Sequence, residues 1–216
     1  MKLCVTAADF AKTIANSVLL TQRKYKGVHT MNIMIVGVGG QGTLLTSRII
    51  GKTALAGGYD VKLSEVHGMA QRGGSVVTFV RFGEKVFEPV CEEGTVDVLI
   101  SFERLEALRY AHFLKPNGVM IVNDTRIDPM TVVIGAAKYP ENIIEYLEKT
   151  HKLHKIDAGK IAKELGNSKV LNTVVLGLAA KYIGFDKDAW VSVLQATVPP
   201  KTIEINTKAF EKGYEA

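Results

Sequence analysis

An apolar strand that runs directly into a glycine-rich turn is the feature that most constrains the fold of this chain. Residues 33–36 (IMIV) precede residues 37–42 (GVGGQG), and a helical pattern follows. Glycine permits a tight turn and lets backbone amides approach a phosphate at the positive end of the helix. The turn places Gly37, Gly39 and Gly42 in the GxGxxG spacing, which predicts the first βα unit of a nucleotide-fold sheet.

The rest of the chain alternates between strand and helix patterns. This alternation predicts an α/β fold: a Rossmann-like, mostly parallel sheet with an antiparallel hairpin and a helical C-terminal third. The predicted strands after the first are 61–66, 75–82, 85–90, 96–101, 119–122 and 155–157. The hairpin is predicted between 75–82 and 85–90, around Gly83-Glu84. The predicted helices are 43–56, 103–113, 141–149, 159–165, 169–183, 188–195 and 203–212.

A second unusual loop, residues 67–74 (HGMAQRGG), follows the predicted strand 61–66. The carboxyl ends of strands are where α/β sheets bind ligands. Within this loop His67 supplies an imidazole, Gln71 can donate and accept hydrogen bonds, and Arg72 can bind a phosphate or carboxylate in a bidentate way. The density of special residue types favours an interaction surface over an ordinary solvated loop.

Together the two loops define the candidate cofactor-binding or active-site-facing residues. These are Gly37, Gly39, Gly40, Gln41, Gly42, Glu65, His67, Gly68, Gln71, Arg72, Gly73 and Gly74. Glu65 is included because an acidic residue about 20 positions after the turn can hold a ribose hydroxyl. The Gln41 side chain could point to a partner or ligand. The alternative is that the turn is kept for its geometry alone and binds no nucleotide.

Composition excludes several classes of function. The chain has 216 residues and a formal net charge of +5, but residues 1–30 carry five basic residues against one acidic residue, so the remainder is close to neutral. A nucleic-acid footprint requires basic residues clustered on the domain itself, and no apolar run is long enough to span a membrane. With Cys4 and Cys91 as its two cysteines, the chain cannot hold an iron–sulfur cluster alone. We expect no metal site and a cytoplasmic location.

Residues 1–30 are predicted to be an N-terminal extension to a single domain at 31–216. Residues 9–20 have the pattern of a short amphipathic helix, and Met31 immediately precedes the first strand. The extension is therefore either an upstream-start artefact or a helix that docks on a partner.

The two loops resemble those of a known family, the small β subunits of indolepyruvate:ferredoxin oxidoreductases. These subunits are related to the γ-type subunits of other 2-oxoacid oxidoreductases. The resemblance covers about residues 31–215 and rests on residues 35–42 (IVGVGGQG) and 64–76 (SEVHGMAQRGGSV). It extends to residues 169–181, where Asn172 and Leu176-Gly177 match the pattern. The HGMAQRGG segment is its specific part, since a GxGxxG turn occurs in many folds.

The resemblance implies a non-catalytic or co-catalytic subunit that is inactive alone. It implies that thiamine diphosphate, Mg²⁺ and [4Fe–4S] clusters lie on a large α subunit, with coenzyme A as co-substrate and ferredoxin as acceptor. An α2β2 heterotetramer is the expected assembly, and the chain would shape or gate the partner's active site. The expected polar contacts are Arg72, Gln71 and His67. The rival interpretation is a free-standing NAD(P)- or flavin-binding oxidoreductase.

Overall fold

Six strands form one twisted sheet at the centre of the molecule. The computed structural model describes residues 30–68 and 73–216, so the predicted extension lies outside the described residues except for Thr30. The strands are β1 (Met31–Val38), β2 (Asp60–His67), β3 (Ser75–Gly83), β4 (Val96–Ser101), β5 (Leu114–Asn123) and β6 (Lys152–Ile156). Their order across the sheet is β2-β3-β1-β4-β5-β6.

The sheet mixes parallel and antiparallel pairs, as the fold class predicted. The pairs β1–β4, β4–β5 and β5–β6 are parallel, whereas β3 runs antiparallel to both of its neighbours, β1 and β2. The antiparallel hairpin is therefore formed by β2 and β3. The predicted mostly parallel sheet with an antiparallel element is confirmed, but the hairpin lies between β2 and β3 and not, as predicted, between 75–82 and 85–90.

The prediction of a strand at 85–90 is wrong. β3 is paired along its whole length on both sides, with β1 and with β2, so neither of its edges is left for a third strand. The segment is held by side chains instead. Arg81 donates to the carbonyls of Glu88 and Val90, and Asp60 accepts from the Val86 amide.

Helices cover both faces of the sheet, and eight α-helices lie within the described residues. They are α1 (Thr43–Ala56), α2 (Arg104–Tyr110), α3 (Met130–Val133), α4 (Ile143–Thr150), α5 (Ala158–Glu164), α6 (Leu171–Ile183), α7 (Lys187–Thr197) and α8 (Ile203–Glu215). α1 and α5 to α8 supply the larger core on one face, while α2 and α4 cover the other. The predicted helical C-terminal third is confirmed.

The sequence patterns locate most elements to within a few residues. α1 and β4 have their predicted bounds, because each is flanked by clear turn signals. Residues 115–118 (KPNG) have the composition of a turn but lie within the bounds of β5. There, Val96 pairs with Leu114 and Val98 with Val119, so residues 115–118 loop out of the ladder. None of the helices in the described part of the chain combines the length and apolarity needed to cross a bilayer.

Candidate functional site

The two loops singled out in the sequence are hydrogen-bonded to each other. The Gly39 amide donates to the Gly74 carbonyl at 2.8 Å, and the Gly73 amide donates to the Gly39 carbonyl at 3.4 Å. These bonds continue the β1–β3 ladder beyond its last pair, Val38 with Ser75. The described residues 37–42, 67–68 and 73–74 therefore form one continuous surface, which we call the glycine edge.

A cleft of about 450 Å³ opens beside the glycine edge. Its lining consists of Gly39, Gly40, Gly42, Thr43, Leu44, Glu65, His67 and Val76. The cleft lies at the start of the 14-residue helix α1, whose N-cap Gly42 is left-handed with φ +86°. No described side chain caps this N-terminus, and its first turn holds no acidic residue. The free amides and the helix dipole therefore favour an anionic group here.

The Gln41 side chain points into the protein rather than toward the cleft. Its Oε1 accepts from the Val38 amide at 2.7 Å, and its Nε2 donates to the Phe102 carbonyl at 3.0 Å. A Cβ on Gly37 would lie 2.9 Å from this Oε1, so glycine at that position makes room for the Gln41 side chain. Gln41 thus holds the turn in shape, which differs from the outward orientation that the sequence left open.

Two features of this geometry argue against binding of a dinucleotide in the usual manner. In a Rossmann unit the acidic residue that holds the ribose follows a strand adjacent to the first strand. Here β3 separates β2 from β1, so the strand that carries Glu65 lies two strand spacings, roughly 10 Å, from β1. In addition, Gln41 bridges the ends of β1 and β4, where the sheet order reverses and a nucleotide would otherwise bind.

The remaining predicted residues are placed as follows. Glu65 and His67 line the cleft, and the Glu65 carboxylate accepts from the Thr78 hydroxyl at 3.4 Å. His67 is exposed, with Nδ1 3.0 Å from the Gly68 carbonyl oxygen. Gln71 and Arg72 lie outside the described residues, so their roles stay predictions.

Asn172, which the sequence resemblance marked, lies beneath the glycine turn. It occupies the first turn of α6, and a Cβ on Gly42 would be 2.6 Å from its Nδ2. The side chain is buried, and its Oδ1 has no hydrogen-bond partner within the described chain. Glycine is therefore required at position 42 for two reasons: its φ is positive, and Asn172 leaves no space for a Cβ.

Sequence reasoning missed a buried carboxyl group at the base of the second loop. Ser75 Oγ donates to Glu106 Oε2 at 2.5 Å, and the Tyr110 hydroxyl lies 3.3 Å from the same Oγ. This cluster fixes the first residue of β3, directly after Gly74. Burial raises the pKa of Glu106, although the Ser75 hydrogen bond and Arg109 oppose the shift. The only sequence signal was an acidic residue within the predicted helix 103–113.

The raised pKa predicts a pH-dependent contribution to stability. A carboxyl with a raised pKa in the folded state stabilises the fold below its ordinary pKa, and this contribution is lost as pH rises through the raised value. Glu106→Gln, which cannot ionise, should therefore gain stability relative to the parent as pH rises from the ordinary glutamate pKa of about 4.3 through the raised pKa of Glu106. Urea unfolding of both proteins across this range checks the trend. A difference that does not change with pH would contradict it.

Amide side chains tie together the carboxyl ends of all four parallel strands. The Phe102 carbonyl, directly after β4, accepts from Gln41 and also from Asn123 Nδ2 at 3.2 Å. Asn123, the last residue of β5, in turn accepts from the Ala158 amide beyond β6 at 3.0 Å. The next residue, Asp124, forms an ion pair with Arg104 at 2.6 Å. The carboxyl edge of the sheet is therefore a rigid platform.

The described residues do not suit a metal or an iron–sulfur cluster. No group of three or more His, Cys, Asp or Glu side chains in residues 30–68 and 73–216 is placed to hold a metal ion. Cys91 is buried, and burial raises its pKa to about 11, which disfavours the thiolate that metals bind.

Comparison with known proteins identifies the family. The family model described as pyruvate ferredoxin/flavodoxin oxidoreductase matches residues 32–216, and the chain belongs to this family. A relative from Thermococcus kodakarensis, named indolepyruvate oxidoreductase subunit IorB, is 43% identical over 191 residues, which cover 86% of this chain and 95% of the relative. The resemblance seen in the sequence is confirmed.

Two further relatives define the type of subunit. A solved γ subunit of a keto/oxoacid ferredoxin oxidoreductase from Geobacter sulfurreducens superposes with a TM-score of 0.64 at 25% identity, covering 86% of this chain and 96% of that one. The ketoisovalerate oxidoreductase subunit VorA of Methanothermobacter marburgensis is 27% identical over 190 residues, covering 85% of this chain but 36% of VorA. The chain is thus a small subunit of a 2-oxoacid:ferredoxin oxidoreductase, part of an enzyme complex. The rival interpretation, a free-standing dinucleotide-binding oxidoreductase, has no support.

Proposed function

We propose that this chain is the small subunit of a coenzyme A-dependent indolepyruvate (arylpyruvate) ferredoxin oxidoreductase. The complex would oxidatively decarboxylate 2-oxoacids to acyl-CoA in the cytoplasm. The observation that carries the proposal is the glycine edge, in which the glycine turn and the end of the family-specific second loop are joined by hydrogen bonds beside an uncapped helix N-terminus. The IorB name of relatives at 43% identity supports the aryl substrate class.

The proposal divides the chemistry between two subunits. Thiamine diphosphate, Mg²⁺ and the [4Fe–4S] clusters would lie on the large α subunit, which would pass electrons to ferredoxin. The described part of this chain supplies no metal-binding cluster that would compete with that assignment. The natural assembly is an α2β2 heterotetramer, with residues 31–216 as one γ-type domain and the small subunit inactive alone.

The glycine edge would face the large subunit at the coenzyme A or thiamine cleft. The α1 N-terminus offers backbone amides to an anionic group, and Gly40 has open space above its Cα, so a ligand can approach the backbone closely. His67 lies at the rim of this cleft. Arg72 and Gln71, in the loop that Gly73-Gly74 closes, would add a cation and an amide to the same surface. The chain would thereby orient the substrate and exclude water, while the cofactor does the chemistry.

Co-expression with the large subunit tests this proposal. The complex, purified through a tag on this chain, should reduce a viologen dye with indolepyruvate only when coenzyme A is present. Either subunit alone should be inactive. A colourless chain that elutes alone with a bound nicotinamide or flavin nucleotide would overturn the proposal.

Within that complex, Arg72→Ala should lower kcat/KM for coenzyme A by roughly 10- to 100-fold, because a charge-assisted hydrogen bond contributes about 1.5–3 kcal/mol. The thermal unfolding midpoint should not change. Lys163→Ala, which removes an exposed cation in the last turn of α5, is the matched control and should leave the kinetics unaltered. Unchanged kinetics for Arg72→Ala would remove this arginine from the site.

A further inference from the structure

An exposed apolar segment follows the carboxyl end of β5, on the same edge of the sheet as the glycine edge. Residues 127–139, which we call the apolar arm, connect β5 to α4 and contain the short helix α3. Met130, Val133 and Ile134 are 71%, 66% and 68% exposed. From Pro129 to Ala137 the arm has no charged residue. A contiguous exposed apolar surface of this kind marks a protein–protein contact.

Hydrogen bonds hold both ends of the arm in place, although its apolar side chains are exposed. The Glu103 carboxylate, 1% exposed, accepts from the Ile127 amide at 3.1 Å and from the Tyr139 hydroxyl at 2.5 Å, so one buried group fixes both ends of the arm. Arg126 lies over the Tyr139 ring, 4.3 Å from its centroid, and forms an ion pair with Asp128. A surface fixed before binding loses little conformational entropy when a partner covers it.

The arm is continuous with the glycine edge through two adjacent residues. Gln41 of the glycine turn is bonded to the Phe102 carbonyl, and the next residue, Glu103, clamps the arm. Both surfaces therefore lie at the carboxyl ends of the parallel strands, linked through the adjacent residues Phe102 and Glu103. Furthermore, this chain matches only 36% of the VorA subunit, so in that relative an equivalent domain is joined to a much longer polypeptide.

We propose that the apolar arm is a docking element for the large subunit, inserted through Met130, Val133 and Ile134 into an apolar pocket of that partner. This inference rests on the proposed function, since it gives the small subunit's second contact with the same partner. The ion-paired Arg126 and Asp128 form the polar rim of the contact, while the three apolar side chains form its centre.

The affinity between the two purified subunits tests the arm. Val133→Asp/Ile134→Asp should raise the Kd for the large subunit about 100-fold, because it places two charges in a desolvated contact. Replacing Met130, Val133 and Ile134 together with alanine should weaken binding in the same direction, which guards against a folding defect specific to the aspartates. Phe87→Asp is the matched control. Phe87 is 79% exposed but follows the end of β3, at the opposite edge of the sheet, and its replacement should change the Kd less than twofold.

The outcomes separate the two proposals. If the parent chain forms the active complex and the arm variants bind as tightly as it does, the docking role is overturned while the proposed function stands. If the parent chain does not bind the large subunit, both proposals fail. If the arm variants instead convert a dimer of the isolated full chain into a monomer without changing the Kd for the large subunit, the arm contacts a second copy and the docking proposal is overturned.

Discussion

Replacing Gly177 with alanine is expected to destabilise the fold by about 3–4 kcal/mol, because the added methyl group has no space. Helices α6 and α8 cross so closely that a Cβ on Gly177 would lie 2.1 Å from the Phe210 carbonyl oxygen and 2.8 Å from the Tyr214 amide nitrogen. Both are backbone atoms, so relief requires the helices to separate, which would disturb the larger core. Alanine's better helix propensity recovers only about 1 kcal/mol.

Gly51 provides the matched control for Gly177. It also lies inside a helix and is buried, but a Cβ there would meet its nearest neighbours, Val61 and Leu63 side-chain carbons, at 3.6 and 3.9 Å. Gly51→Ala should therefore leave stability unchanged or raise it by up to about 1 kcal/mol. Urea unfolding of the full chain measures both variants. Equal midpoints for the two would show that the close helix crossing does not limit stability.

Gly213, on the other side of the same crossing, should be less sensitive than Gly177. Its Cβ would lie 1.9 Å from the Val174 carbonyl oxygen, which is as severe a clash. However, Gly213 lies in the last turn of α8, where the helix can fray at lower cost than in the middle of α6. The pairing of these glycines could not be read from the sequence, because each lies on its helix with no local signal of its partner.

Local signals predicted the elements well, and non-local competition explains the main error. The bounds of α1 follow from glycines on both sides, and β4 is an apolar run between polar turns. Residues 85–90 have strand-like composition, but β1 and β2 already occupy both edges of β3. Since strand pairing depends on distant segments, no short stretch of sequence could show that both edges of β3 are already paired.

The candidate site was predictable in its location but not in the roles of its side chains. The two loops proved to be bonded to each other, yet the direction of Gln41 depends on Phe102, 61 residues away. Glu103 was predicted as the first residue of a helix, whereas the structure makes it the N-cap. Glutamate is not among the preferred N-cap residues, so the pattern concealed a buried carboxylate with four donors.

Removing the Glu103 carboxylate should cost about 3–5 kcal/mol, the range for breaking a buried charged hydrogen-bonding group. Its Oε2 accepts from the Leu105 and Glu106 amides at 2.6 and 3.0 Å, and its Oε1 accepts from Ile127 and Tyr139. Glu103→Ala leaves all four donors, one of them buried and three half-buried, without this acceptor. Glu103→Gln keeps the shape but turns an NH₂ group toward two of the donors, so it should recover only part of the loss.

Because one carboxylate joins the start of α2 to both ends of the apolar arm, its loss should act at two places. Hydrogen exchange should show the Ile127 amide losing protection in Glu103→Gln, while amides of β4 keep theirs, since the strand is bonded independently to β1 and β5. Glu145→Gln, an exposed glutamate in the first turn of α4, should change stability by less than about 0.5 kcal/mol. If Glu103→Ala were no more destabilising than this control, solvent rather than the carboxylate would be satisfying those four donors, and the arm would have no fixed anchor.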